Sequence, residues 1–148
     1  MLIRLLVRTR LDLDTLEAGV ALRLFRITAA VSILTPSGWS LAREGIIDTG
    51  NPVTLVPHRA WTGASVEFLT PTYRPLQGLG STAQTAICGR LGRITLTIED
   101  GQTSSPPLQT VAYLLDDNRA PLLLGCEGIL TRAILHANVN AGHASLEF

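Results

Sequence analysis

The sequence predicts an all-β fold in a single domain with one helix near its end. Clusters of Gly, Pro, Asn and Asp divide the chain into short apolar stretches, a pattern typical of β proteins. Residues 93–99 alternate apolar and polar side chains, which is the period of a half-buried strand. Only residues 127–139 gather apolar side chains on one helical side. The 148 residues contain no long linker, so we expect one domain, 1–148.

Each predicted strand is an apolar, β-branched stretch bounded by turn residues. The first two are joined by the turn TPSGW at 35–39, and the next two by the turn EDGQTSSP at 99–106, so each pair is expected to be antiparallel. Residues 1–19 are an N-terminal extension whose role the sequence does not indicate. The predicted strands are 21–34, 41–48, 93–99, 107–115 and 144–148.

The composition argues against nucleic acid and membranes as partners. Twelve basic residues, all of them arginine, balance twelve acidic ones, and no basic stripe is present. Hydrophobic residues make up 46% of the chain and charged residues 16%. A surface so poor in charge indicates that a further face is buried in an oligomer.

The cysteines and the N-terminus favour a soluble, cytoplasmic protein. Cys88 and Cys126 form no CxxC motif, which fits a reducing compartment while leaving a single disulfide open. Arg8 and Arg10 interrupt the apolar start of the chain, which is then too short for a signal peptide or a membrane span.

The stretch GIIDTGNPVTLV, residues 45–56, places a carboxylate at the end of an apolar strand. Asp48 is followed by Thr49 and Gly50, and the glycine permits a sharp chain reversal that exposes the acid. One aspartate cannot both activate a water and protonate a leaving group. The chain has a single D-T-G. A two-fold axis beside Asp48 would supply the second carboxylate, about 3 Å away, and the pair would hold one proton.

GIIDTG, together with PLLLGCEGIL at 121–130, resembles the retropepsin-like aspartic proteases, and the resemblance extends over about residues 20–148. It implies an acid-protease fold, in which a closed β-barrel carries one C-terminal helix and a flap hairpin. The strand after D-T-G corresponds to 53–57, and the helix from Glu127 and the strand 144–148 correspond to the closing helix and the dimer-forming tail.

Two further elements of the family have counterparts here. Leu123, Leu124 and Gly125 match the apolar-apolar-Gly element that crosses behind the active-site loop. Residues 73–88 stand at the position of the flap, with the substrate-binding residues Gly78, Leu79 and Gly80 at its centre.

The resemblance implies a homodimeric endopeptidase that needs no metal or cofactor. Asp48 and its symmetry mate would bind a water between them, Thr49 would hydrogen-bond across the axis, and the Gly50 amide would orient the carboxylate. The flap would close over an extended polypeptide with apolar side chains at the cut. Two such close carboxylates do not both ionise, so activity is expected at acidic pH.

Two departures from the family weaken the expected dimer. Retroviral members carry an acidic residue soon after D-T-G and an arginine after the late glycine, and the two form an ion pair. Here Asn51-Pro52 and Cys126 take those places. The dimer must therefore rest on apolar packing and on the terminal strands. The alternative function is a catalytically inactive module of the same fold for dimerisation or peptide binding.

Two other interpretations have less support from the sequence. Cys126 precedes a predicted helix, so it could act with His136 or His143 in a cysteine hydrolase, although a small buried cysteine is the commoner case. The histidines and cysteines show no zinc spacing.

Overall fold

The computed structural model describes residues 1–76 and 86–148. In this part of the chain twelve strands form one continuous sheet, accompanied by short helical segments. The helical segments are α1 (Leu13–Glu17), α2 (His58–Trp61) and a wide turn, Cys126–Leu130. The strands are β1 (Leu2–Leu11), β2 (Arg23–Thr35), β3 (Gly38–Trp39), β4 (Arg43–Ile47), β5 (Thr54–Val56), β6 (Glu67–Phe68), β7 (Arg74–Pro75), β8 (Cys88–Glu99), β9 (Leu108–Leu115), β10 (Leu123–Leu124), β11 (Ile134–Asn138) and β12 (His143–Glu147).

Six of these strands close into a barrel, in the order β2, β4, β10, β5, β9, β8. The pairing of β8 with β2, from Ala30 opposite Glu99 to Ile33 opposite Leu96, closes the ring. The interior is filled by fully buried aliphatic side chains, which provide the main stabilisation of the fold. The all-β class is confirmed. The largest fully buried side chains of the main core cluster are Ile3, Val31, Ile33, Ile94, Leu96, Ile98, Leu108, Leu114, Leu124, Ile129 and Leu146.

The five strands predicted from the sequence correspond to β2, β4, β8, β9 and β12. In β8, Ile94, Leu96 and Ile98 are buried, as predicted for one face of a strand. β9 pairs antiparallel with β8 across the predicted turn, and β4 pairs antiparallel with β2. The alternation in β8 is a reliable predictor of its buried face, because a shift of one residue would move all apolar side chains of that face into solvent.

The N-terminal residues, whose role the sequence left uncertain, are part of the sheet. The first half of β1 pairs with β12, from Leu2 opposite Glu147 to Leu5 opposite Ala144. Its second half pairs with β2 instead. β12 therefore lies between β1 and β11, and both of its edges are paired within its own chain.

The helix predicted over 127–139 is wrong beyond Leu130. Inside the wide turn Cys126–Leu130, Glu127 has ψ 126° and Gly128 has φ +73°, and because both lie outside the right-handed helical region no regular helix forms there. Residues 134–138 instead form β11, which pairs with β12 across a turn containing Gly142, at φ +69°. Pairing with β12 satisfies the hydrogen-bonding groups along one edge of β11. This stabilisation outweighs the helical preference of an apolar pattern that is only 13 residues long.

Among the helices in residues 1–76 and 86–148, none has the length and apolarity needed to cross a bilayer.

Candidate active site

The loop that carries Asp48 is built around a strand that inserts between its two neighbours. β4 and β5 are adjacent in sequence, but β10 lies between them, parallel to β4 and antiparallel to β5. The N–H of Asp48 donates to the carbonyl oxygen of Leu124 at 3.0 Å, which extends this pairing to the aspartate itself. The loop from Asp48 to Val53 therefore passes over the end of β10.

One oxygen of the Asp48 carboxylate is used within the loop, and the other is not. The N–H of Gly50 donates to Asp48 Oδ1 at 3.1 Å, and the N–H of Asn51 donates to the Asp48 carbonyl oxygen at 3.2 Å. The first contact is an Asx turn, which fixes the orientation of the carboxylate. Among residues 1–76 and 86–148, no group donates to Oδ2 or forms an ion pair with Asp48. The residue is half-buried.

Gly125 allows the loop to approach the chain that follows β10. A Cβ atom at this position would lie 2.5 Å from the Val53 carbonyl carbon, 2.7 Å from its oxygen and 2.8 Å from the Asn51 carbonyl oxygen. All three atoms belong to the backbone, so no rotamer change could relieve the contacts. Glycine is required here by close approach and not by an unusual φ.

Backbone N–H groups of residues 125–127 donate hydrogen bonds to the loop and to the first residue of β5. The N–H of Cys126 donates to the Asn51 carbonyl oxygen at 2.9 Å, and that of Glu127 to the Pro52 carbonyl oxygen at 3.0 Å. The N–H of Gly125 donates to the buried Thr54 Oγ1 at 3.1 Å. We call these three contacts the loop clasp. It contains no ionised side chain, so the position of the loop does not depend on an ion pair.

The sequence did not single out Thr54 and Thr110, which support this arrangement. Thr54 is fully buried in the apolar stretch VTLV, and Thr110 Oγ1 donates to the Glu127 carbonyl oxygen at 2.6 Å. A polar residue within a buried strand was the available signal, because such a group needs a hydrogen-bond partner.

The predicted site residues are only partly brought together by the described structure. Asp48, Thr49 and Gly50 are consecutive in the loop, and Thr49 and Gly50 are exposed. At the base of the predicted flap, Arg74–Pro75 pairs antiparallel with the first residues of β8, and the N–H of Leu76 donates to the Ile87 carbonyl oxygen at 2.9 Å. Gly78, Leu79 and Gly80 lie outside the described residues.

The geometry gives no support to a cysteine hydrolase. The Sγ of Cys126 contacts the Thr49 carbonyl oxygen at 3.6 Å, whereas His136 pairs with Glu147 at 2.8 Å. Both cysteines are free thiols. In the part of the chain that the structure describes, no group of three or more His, Cys, Asp or Glu could hold a metal ion.

Comparisons with protein-family models, with curated proteins and with solved structures give no match to this chain. The functional interpretation therefore rests on the residues of the site.

Proposed function

We propose that this protein is an aspartic endopeptidase of the retropepsin-like type, which acts as a homodimer and uses Asp48 from each chain. The observation that carries the proposal is the Asp48 loop, in which the carboxylate is oriented through Oδ1 while Oδ2 has no partner in the described residues. A loop stretched over an inserted strand and held by the loop clasp presents the acid in a fixed position. Such preorganisation is what acid-base catalysis requires.

In the proposed mechanism, two Asp48 carboxylates related by a two-fold axis share one proton and hold a water between them. The ionised carboxylate takes a proton from the water as the water attacks the peptide carbonyl carbon. The protonated carboxyl group then donates its proton toward the leaving amine. The Gly50 N–H keeps the carboxylate plane fixed during both transfers. Because the pair must carry one proton, cleavage is expected at mildly to strongly acidic pH.

The proposed substrate is an extended polypeptide segment with apolar side chains beside the cut. An unfolded or loop segment can add to a strand edge through backbone hydrogen bonds, which give affinity with little dependence on sequence. The predicted flap, at whose base Arg74–Pro75 pairs with the start of β8, is the element that we propose makes these contacts.

The test compares wild type with Asp48→Asn on an unstructured protein substrate between about pH 3 and pH 7. Asparagine retains an Oδ1 acceptor for the Gly50 N–H, so the loop and the thermal stability should be unchanged while cleavage is lost. Asp116→Asn, which alters an exposed carboxylate at the end of β9, is the matched control and should cleave like wild type. Equal cleavage by wild type and Asp48→Asn would refute the proposal.

A second candidate function is favoured by the same hydrogen bond between Gly50 and Asp48. An aspartate that caps its own turn has a structural role, and this fits a module that dimerises or binds peptides without cleaving them. That function predicts no Asp48-dependent cleavage at any pH, together with retained binding of an unstructured polypeptide by both wild type and Asp48→Asn.

A further inference from the structure

A two-stranded ribbon extends from the barrel beside the end of β4. It consists of residues 6–11 of β1 and residues 23–28 of β2, which pair antiparallel. Thr28 is opposite both Leu6 and Ile46, so β1 and β4 lie on opposite edges of β2. In the described structure, β1 is the only partner strand of β2 before Thr28. The other edge of β2 is therefore open over residues 23–27, and its backbone groups can pair with an added strand.

The ribbon has one basic face. Residues that are directly opposite in an antiparallel pair lie on the same face, and so do alternate residues of one strand. The register places Arg8 opposite Arg26 and Arg10 opposite Leu24. These four residues therefore share a face, which we call the arginine face. Its three arginines are exposed, whereas Leu24 is half-buried.

The positive charge of the arginine face is only partly balanced. Arg8 and Arg26 form a like-charge pair across the two strands, which is unfavourable without a nearby anion. Arg8 pairs with Glu44 at 2.5 Å. Among the described residues, neither Arg10 nor Arg26 has an ion pair. Three cations beside one carboxylate favour a partner that brings further negative charge.

A cavity of about 690 Å³ lies against this face. Its lining includes all four residues of the arginine face and neither Val7 nor Ile27, which lie on the opposite face at the base of the ribbon. The volume is in the usual range of binding clefts, about 300–1,000 Å³. The cavity is lined by Arg8, Thr9, Arg10, Leu24, Phe25 and Arg26.

The spacing of the arginines fits an extended polypeptide. A strand added to the open edge of β2 would place one side chain opposite Arg26 and the next side chain of the same face opposite Leu24. A long arginine side chain can lie along an apolar neighbour while its charged end stays in water. Arg10 can therefore pass over Leu24 toward the added strand. Two acidic residues at alternate positions would then meet one guanidinium each.

The arginine face also lies toward the proposed catalytic aspartate. Arg26 precedes Thr28 by two residues, and Asp48 follows Ile46 by two residues. Because Thr28 is opposite Ile46 in an antiparallel pair, Arg26 and Asp48 are level with each other along the strands. A segment that pairs with the open edge of β2 thus continues toward the Asp48 loop.

We propose that the arginine face binds an acidic, extended segment of a polypeptide, which pairs with the open edge of β2 and directs carboxylates to Arg10 and Arg26. The planar guanidinium suits this role, because it can donate to both oxygens of a carboxylate. The inference rests on the proposed function for one point, that the bound segment belongs to the substrate and lies a few residues from the cut. The binding itself is measurable without any assay of cleavage.

Nucleic acid is the competing anionic partner. Affinity for nucleic acid depends mainly on how many phosphates the basic side chains neutralise. The arginine face offers two arginines without an ion pair in the described structure, and the whole chain has a net charge of zero. The open edge of β2 adds backbone donors and acceptors, which pair with the backbone of an extended polypeptide. These two features favour the polypeptide.

The first experiment measures the fluorescence anisotropy of two labelled, unstructured peptides that differ only in carrying Glu or Gln at alternate positions. The parent protein is Asp48→Asn at about pH 7, so that cleavage does not compete and the Glu side chains are ionised. We expect the Glu peptide to bind at least about fivefold more tightly, and this preference to fall below about twofold in 1 M salt. Equal affinity for the two peptides would overturn the proposal. Displacement of the Glu peptide by a single-stranded oligonucleotide at lower concentration than by unlabelled Glu peptide would also overturn it.

The second experiment repeats the measurement with charge-removing variants of the parent. Arg10→Gln and Arg26→Gln should each weaken binding of the Glu peptide about two- to fivefold, as expected for exposed ion pairs, and leave the Gln peptide unaffected. Arg26→Gln also removes the like charge opposite Arg8, so its melting temperature should be equal or higher. Arg23→Gln is the matched control, because Arg23 is exposed on the opposite face of the same ribbon. It should bind the Glu peptide within about twofold of the parent.

A variant with increased affinity provides a test that misfolding cannot imitate. Glu44→Gln releases Arg8 and removes the carboxylate that pairs with it, so the Glu peptide should bind about two- to threefold more tightly. Unchanged or weaker binding by Glu44→Gln would overturn the proposal. A loss of affinity in Arg23→Gln equal to that in Arg26→Gln would overturn it as well, because only the net charge would then matter.

These results are distinguishable from the outcome for the proposed function. If the Glu peptide binds through Arg10 and Arg26 but wild type and Asp48→Asn cleave equally, the arginine face is confirmed as a binding site and the peptidase is refuted. If cleavage depends on Asp48 but the Glu and Gln peptides bind equally, the peptidase is supported and the arginine face is refuted.

Discussion

Replacing Gly125 with alanine would remove the space on which the Asp48 loop depends. The added Cβ atom would lie between 2.5 and 2.8 Å from backbone atoms of Asn51 and Val53, well inside ordinary van der Waals contact. Overpacking of a rigid site typically costs about 1–3 kcal/mol, and since no side chain can move aside here we expect about 3 kcal/mol. For a chain of this size that corresponds to a decrease in the melting temperature of about 6–12 °C.

The measurement is thermal unfolding at one fixed protein concentration, since dimerisation would make the melting temperature depend on concentration. Gly50→Ala is the control, because a Cβ atom at Gly50 would make a single contact of ordinary length, 3.4 Å, with Asp48 Oδ1. It should lower the melting temperature by less than about 3 °C. If Gly125→Ala melts as close to wild type as this control does, the loop can relax, and the argument for a fixed Asp48 carboxylate fails.

Three further predictions concern other parts of the fold. The N–H groups of Arg4, Gln102 and Thr103 hold the pKa of Asp100 below its ordinary value, so the stabilisation is present above about pH 4 and is lost as the pH falls through the lowered pKa. Asp100→Ala should therefore be less stable than wild type at neutral pH in urea titrations, by a difference that shrinks in acid. Thr110→Val leaves the Glu127 carbonyl oxygen without its hydrogen bond and should cost about 1–2 kcal/mol of unfolding free energy, again measured in urea. Both thiols of the chain should react with a chromogenic disulfide reagent in the absence of reductant, whereas a single reacting thiol or none would contradict the free cysteines.

The barrel strands could be predicted because burial on one side imposes a visible pattern. In β8 the buried residues Ile94, Leu96 and Ile98 alternate with more polar ones, and turn residues delimit the strand at its C-terminal end. The N-terminal strand lacked this signal. Leu6 and Leu11 of β1 are exposed, so the apolar residues of this strand do not report which face meets the core.

The helix prediction failed because residues from Ile129 to Ala137 fit a helical stripe by spacing alone. The signals against it were Gly128 before the stripe and the turn ending in Gly142 after it, both at positive φ. Glycines at turn positions predict a hairpin more strongly than a short apolar repeat predicts a helix, because only a few residue types adopt positive φ.

For the candidate site, the residue types selected Asp48 and Gly125, but only the family resemblance placed Gly125 behind the Asp48 loop. Short motifs report which residue types are present, whereas two of the three contacts of the loop clasp are hydrogen bonds between backbone groups, from Cys126 to Asn51 and from Glu127 to Pro52. Any residue except proline can donate such bonds, so residue identity carries no information about them.

The insertion of β10 between β4 and β5 also has a consequence for biosynthesis. The Sγ of Cys126 contacts the carbonyl oxygen of Thr49, and the two residues are 77 positions apart, so the loop cannot reach its final geometry until residues 123–127 have been synthesised. Contacts of such large sequence separation form late and slowly, because the entropy of a long loop is lost before they are made. A nascent chain that has not yet reached β10 would thus lack a formed Asp48 loop.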